Sequence, residues 1–167
     1  MKKVIIVMGA EGDLPVMEAA ANTLTSFGVP FEVRILSAHR TPQAASELSK
    51  TARESGVGVI IAAAGKAAHL AGAMAAQTTI PIIGVPIKAS FDGLDSLLST
   101  VQMPTGIPVA TVAVNSSENA ALLAVQMLSI EDKQLADALD AHRAAMQKKI
   151  LAKDEEIRNK FSGKVSL

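Results

Sequence analysis

Two imidazoles carry the first hint of chemistry. His39 lies in Ser37-Ala38-His39-Arg40-Thr41-Pro42 and His69 in Gly65-Lys66-Ala67-Ala68-His69-Leu70, and the chain has only one further histidine. A histidine with its reference pKa of about 6.5 can give or accept a proton at neutral pH. Arg40 beside it offers a planar guanidinium suited to a bidentate grip on phosphate. An acid/base next to an anion holder is the pairing that proton transfer on a phosphorylated metabolite needs. Blander roles also fit: Ser37 and Thr41 as helix-capping residues around solvated His39 and Arg40, and His69 as a structural hydrogen bonder opening a helix.

Two more segments join them. The turn Gly9-Ala10-Glu11-Gly12-Asp13 follows an apolar run and precedes a helical one, so it offers free N–H groups and a positive dipole end to an anion. Its spacing is neither the dinucleotide fingerprint nor a Walker loop, and Asp13 alone also reads as an N-cap. Around Gly65 and Lys66, the small residues from Ala62 to Gly72 would let the backbone close over a flat ligand and exclude water. Lys66 adds a cation. No H-x-x-x-H spacing, cysteine or carboxylate cluster accompanies the histidines, so no metal site is expected. Serine catalysis lacks its G-x-S-x-G elbow.

Short, β-branched apolar runs must position these loops: Val4 to Met8, Phe31 to Leu36, Val57 to Ala62, Ile82 to Val85 and Val109 to Val114. Their near-continuous apolar character predicts strands covered on both faces. Helical spacing fills the gaps at Leu14 to Phe27, Pro42 to Ser55, His69 to Gln77, Leu94 to Val101 and Asn119 to Leu128. Gly28 and Gly56 suit C-terminal caps and Pro42 an early helical position. Strict alternation predicts an α/β fold, a three-layer, doubly wound, five-stranded parallel sheet in flavodoxin-like order. Ligands of such sheets collect beyond the carboxyl ends of the strands, where His39 and His69 would converge on one crevice. The segment from Lys88 to Leu94 could cover it.

From Glu131 to Phe161 the spacing predicts one long C-terminal helix of about 45 Å, more than a small domain can cover. Its apolar stripe, through Leu135, Leu139, Met146, Ile150, Ile157 and Phe161, exceeds that cover and predicts a homo-oligomer; a break or fray near Lys153 is the alternative. His142 is expected to be solvated. The 167 residues suit a single domain, 1–167. Lys plus Arg and Asp plus Glu each total 16, and Tyr and Trp are absent, which argues against a nucleic-acid or membrane-surface partner and for a small molecule. No apolar segment approaches the roughly 20 residues that span a bilayer. The lack of cysteine fits a cytoplasmic protein.

At these loops the sequence resembles the PurE family of purine biosynthesis. The resemblance runs from Val4 to about Leu128. It rests on Val7-Met8-Gly9, Asp13-Leu14-Pro15, Ser37 to Pro42, Ala67-Ala68-His69-Leu70, Gly93 to Leu98, and Val101-Gln102-Met103-Pro104 through Thr111. It implies a cofactor-free isomerase that converts N-carboxyaminoimidazole ribonucleotide to 4-carboxy-5-aminoimidazole ribonucleotide in a closed site, within a homo-octamer. His39 would be the general acid/base. His69 would line the carboxyl end, Asp13 would meet ribose hydroxyls, and Arg40 with the first loop would hold phosphate. Gly9, Ala10, Gly12, Ser37, Ala38, Gly65, Lys66 and Leu70 would complete the substrate contacts.

The family also has a direct carboxylase branch, which carries lysine where this chain has Arg40. A relative with altered nucleotide specificity and a non-catalytic binding module are further readings. They arise because the chain departs from the family pattern. Ala10 and Gly12 replace two serines, and Ala63, Lys66 and Ala71 replace two glycines and a proline. Two lost hydrogen bonds to a charged phosphate would together cost roughly 3–6 kcal/mol. Lys66 is expected to take over that charge, the blander alternative being that it points to solvent, and a family glycine with positive φ at its position would leave Lys66 strained or the loop changed.

Overall fold

A computed structural model describes residues 1–163. Five parallel strands, β1 (Lys3–Met8), β2 (Phe31–Ile35), β3 (Val57–Gly65), β4 (Ile82–Ile87) and β5 (Ala110–Thr111), form one sheet in the order β2-β1-β3-β4-β5. This is the flavodoxin-like order. The helices are α1 (Leu14–Ser26), α2 (Pro42–Thr51), α3 (Leu70–Ala75), α4 (Leu94–Val101), α5 (Ser117–Ser129) and α6 (Lys133–Phe161). Gly28 and Gly56 adopt left-handed φ of +66° and +74° in the turns after α1 and α2, and Pro42 opens α2.

Strand periodicity builds two cores. Val4, Ile6 and Met8 of β1, with Val59 and Ile61 of β3, face α1 and α5; Ile5 and Val7, with Ile60 and Ala62, face α2 and α3. Buried alanines of α3 and α5 pack against the sheet, and the only rings against the core are those of the partly buried Phe27 and Phe31 among the described residues.

The two edge strands differ from expectation. β2 pairs only with β1, and Val33 and Ile35 are 42% and 55% exposed, so this strand is not covered on both faces within one chain. β5 shrinks to Ala110–Thr111 because Pro108 has no N–H to donate and the chain then leaves the ladder; Val112 and Asn115 still donate singly to the carbonyls of Gly84 and Pro86.

α6 is one continuous helix of 29 residues, with no break at Lys153. Asp132 caps it by accepting from the N–H groups of Gln134 and Leu135. Only Leu135 and Leu139 are buried, where its first turns pack on α5. Met146, Ile150, Leu151, Ile157 and Phe161 remain exposed along the projecting arm. His142 is not simply solvated: its ring packs on Phe27 with centroids 5.5 Å apart.

Candidate active site

Four loops at the carboxyl ends of β1, β2, β3 and β4 line a pocket of about 480 Å³. Each is held by its own hydrogen bonds. Gly9 N–H donates to Ala63 O at 3.0 Å, tying the first loop to β3, and Leu36 N–H donates to Met8 O at 3.0 Å. In the second loop Ser37 Oγ accepts from His39 N–H and Arg40 N–H, while Thr41 Oγ1 accepts from Ser37 N–H at 2.8 Å. Ser37 and Thr41 thus do the local structural work, and by doing it they present His39 and Arg40 to the pocket.

His39 Nε2 and His69 Nδ1 lie 2.9 Å apart, their rings nearly perpendicular at 75°. Such a contact joins one ring N–H to one lone pair, so a single proton lies between the two nitrogens. The convergence expected across 30 residues of sequence is present. His69 precedes α3 as its N-cap and makes no capping hydrogen bond with its side chain.

Arg40 crosses to the first loop, where Nη2 donates to Gly9 O at 2.9 Å. Asp13 sits beside it and accepts from Ala10 N–H at 3.3 Å. Burial pushes the Asp13 carboxyl above its ordinary range, opposed by the backbone N–H groups of Ala10 and Gly9 and by the Arg40 guanidinium. Asp13 caps the short 3-10 turn and makes no side-chain bond to α1.

Gly65 marks a close approach: a Cβ there would lie 3.2 Å from Ala89 Cβ and 3.3 Å from Ile87 O. Lys66 follows with φ of +57°, the left-handed conformation that strains a side-chain-bearing residue.

Of the residues expected at the site, Gly9, Ala10, Asp13, Ser37, Ala38, His39, Arg40, Gly65, Lys66, His69 and Leu70 all line the pocket. Gly12 does not: it is exposed on the outer side of its turn, with open space where a Cβ would stand. Ala64, Ala67 and Ala89 complete the lining; the tight packing of small residues around Gly65 was the available signal for them. Among the residues from Lys88 to Leu94 only Ala89 reaches the pocket, so this segment does not cover it. Phe91 is not part of the lining and is 83% exposed. Within one chain the pocket is open, since His39, Arg40, Lys66, Ala67 and His69 are all exposed.

Among the described residues no three metal-ligating side chains cluster. A second concavity of about 580 Å³, at the opposite end of the sheet beside Lys2, Gly58 and Leu128, contains no histidine.

The sequence profile described as AIR carboxylase matches residues 3–149. An N5-carboxyaminoimidazole ribonucleotide mutase of Methanocaldococcus jannaschii is 50% identical over 158 residues, covering 95% of this chain and 99% of that one. Its counterpart in Pyrococcus abyssi is 54% identical over 149 residues, covering 89% and 86%. The crystal structure of Treponema denticola PurE superposes with a TM-score of 0.83 at 31% identity, covering 93% of this chain and 98% of that chain. No helix among the described residues is long and apolar enough to cross a membrane.

Proposed function

Because the chain belongs to the AIR carboxylase family, we propose that it is an N5-carboxyaminoimidazole ribonucleotide mutase, an isomerase of purine biosynthesis. The observation that carries this reading is the 2.9 Å contact between His39 and His69 in a pocket that also holds Arg40 and Asp13.

The chemistry suits these groups. As the carbamate N–C bond breaks, its electron pair stays on the exocyclic nitrogen, which takes a proton from His39, and carbon dioxide leaves. The freed aminoimidazole is enamine-like, so C4 attacks the gas with its π pair. His39, now a base, removes the C4 proton and restores the ring. Atoms and electrons balance with no oxidant or reductant. His69 keeps His39 turned into the pocket and lines the carboxyl end, Asp13 accepts from ribose hydroxyls, and Arg40 grips the phosphate.

Holding carbon dioxide requires cover that a single open chain does not supply. We assign that cover to a homo-oligomer, an octamer by analogy with the family, assembled through the apolar arm of α6 and acting in the cytoplasm. The small-residue walls admit a flat ring closely, and no nucleic-acid or membrane partner is invoked.

The test is turnover of the carbamate ribonucleotide by wild type and His39→Asn. Wild type turns over, and the variant loses about 10²- to 10⁴-fold, the usual contribution of a general acid/base. An inert wild type would overturn the mutase reading, and a fully active variant would overturn the role of His39. Supplying 5-aminoimidazole ribonucleotide with carbon dioxide as the alternative donor separates mutase from direct carboxylase.

A further inference from the structure

Lys66 is the one pocket-lining residue with a left-handed backbone, φ of +57°. In that conformation Cβ crowds the following carbonyl, and glycine would avoid the strain. Strain of this kind persists where the surroundings impose it and tends to gather at functional sites. Here the close packing of Gly65 against Ala89 and Ile87 fixes where the chain must turn. The Lys66 side chain is exposed, and its ammonium forms no ion pair or hydrogen bond with any described residue. Among the described residues no side-chain hydrogen bond or ion pair of Lys66 offsets that strain.

The other pocket groups show what is missing. Arg40 is already engaged with Gly9 O and lies beside the Asp13 carboxyl. The first turn has few donors left: Gly9 N–H goes to Ala63 O, Ala10 N–H to Asp13, and Asp13 N–H to Ala10 O. Ala10 and Gly12 have no side-chain donor. A phosphate monoester of charge about −1.5 to −2 at neutral pH would therefore meet one shared guanidinium, the Ser37 hydroxyl, which donates to no described group, and one unpartnered ammonium.

We propose that Lys66 is a specificity-determining residue whose ammonium binds the substrate phosphate and makes the pocket select a ribonucleotide over its nucleoside. This rests on the mutase reading above.

The experiment measures binding of 5-aminoimidazole ribonucleotide and 5-aminoimidazole riboside to the intact assembled protein by titration calorimetry, for wild type, Lys66→Gly, Lys66→Met and Lys66→Arg. The glycine and methionine variants should weaken the nucleotide about 10- to 100-fold, the range spanned by one hydrogen bond to a charged group. Riboside affinity should stay within about 2-fold, and the arginine variant should keep most of the nucleotide affinity, because the charge is retained. Lys66→Gly should also melt at a higher temperature than wild type, which separates lost affinity from a lost fold. Equal weakening of both ligands, or unchanged nucleotide affinity, overturns the proposal. If the methionine variant does not fold, the glycine variant, which suits the left-handed φ, decides alone. Turnover tests the mutase reading separately. An inert wild type with Lys66-dependent nucleotide binding would sink the mutase and leave the phosphate site. An active wild type whose binding ignores Lys66 would do the reverse.

Discussion

A methyl group at Gly84 has no room. An added Cβ would lie 2.4 Å from Cγ2 of Thr100, 3.1 Å from Cγ1 of Val109 and 3.4 Å from Cβ of Ala71, whereas carbon atoms prefer about 3.5–4.0 Å. Thr100 is 2% exposed and its hydroxyl donates to Ser96 O at 2.7 Å, so turning its methyl aside would break a buried hydrogen bond. Overpacking of this kind costs about 1–3 kcal/mol, and the reduced freedom of the unfolded alanine chain offsets about 0.4–1 kcal/mol. Gly84→Ala should therefore destabilise by about 1–2 kcal/mol, roughly 2–8 °C in melting temperature for a chain of this size. Thr100→Ser removes Cγ2 and keeps the hydroxyl, so in the double variant about 1 kcal/mol should return as coupling energy. The assay is urea denaturation followed by far-ultraviolet circular dichroism, at one protein concentration, for wild type, both single variants and the double. Stability of Gly84→Ala within about 0.5 kcal/mol of wild type, or a double variant with no recovery, refutes the packing argument. Turnover should fall with stability, since Ala71 is the second residue of the helix that begins beside His69.

Asp13→Asn should stabilise the free protein at neutral pH while lowering activity. Burial raises the folded carboxyl above its unfolded value, so its stabilising contribution is full below the unfolded pKa and lost as pH rises through the folded one. Chemical denaturation at neutral and acid pH checks this: an advantage of the asparagine variant that grows toward acid contradicts it. Leu135→Ala, at the root of the C-terminal helix, should cost about 2–5 kcal/mol because the side chain is 2% exposed; a loss below about 1 kcal/mol in a urea melt counts against that packing. Ile150→Glu with Ile157→Glu should leave helicity intact and reduce the assembled mass measured by light scattering. An unchanged mass would exclude the arm as the contact between copies.

Much of this architecture was legible because two periodicities dominate it. The alternation of Val4, Ile6 and Met8 against Ile5 and Val7 assigns opposite faces of β1, and the apolar runs between turns set the parallel order that brings His39 to His69. The edges were not legible. Val33 and Ile35 look like core residues in sequence, yet only neighbouring structure decides whether an edge strand is covered, and β2 has none on its far side. Likewise Val109 to Val114 has strand composition, but Pro108 and the departure of the chain leave two paired residues. In the pocket, residue types announced acid/base and anion chemistry, but not how each N–H is used. The turn from Gly9 to Asp13 reads as offering free N–H groups to an anion; Ala63 O takes that of Gly9, the Asp13 carboxyl takes that of Ala10, and Gly12 is not part of the pocket lining. His142 has charged neighbours in sequence and an aromatic one in space, Phe27.

An interior built from isoleucine, valine, leucine, methionine and alanine, in a chain with no tryptophan or tyrosine, also leaves the molecule almost without near-ultraviolet absorption. Conversion of an aminoimidazole ring can then be followed optically at high enzyme concentration against a nearly dark protein. A single tryptophan substituted for Phe91, at the exposed end of the loop after β4, would be the sole indole fluorophore, so any change in its emission would report on that loop, two residues beyond Ala89 of the pocket wall.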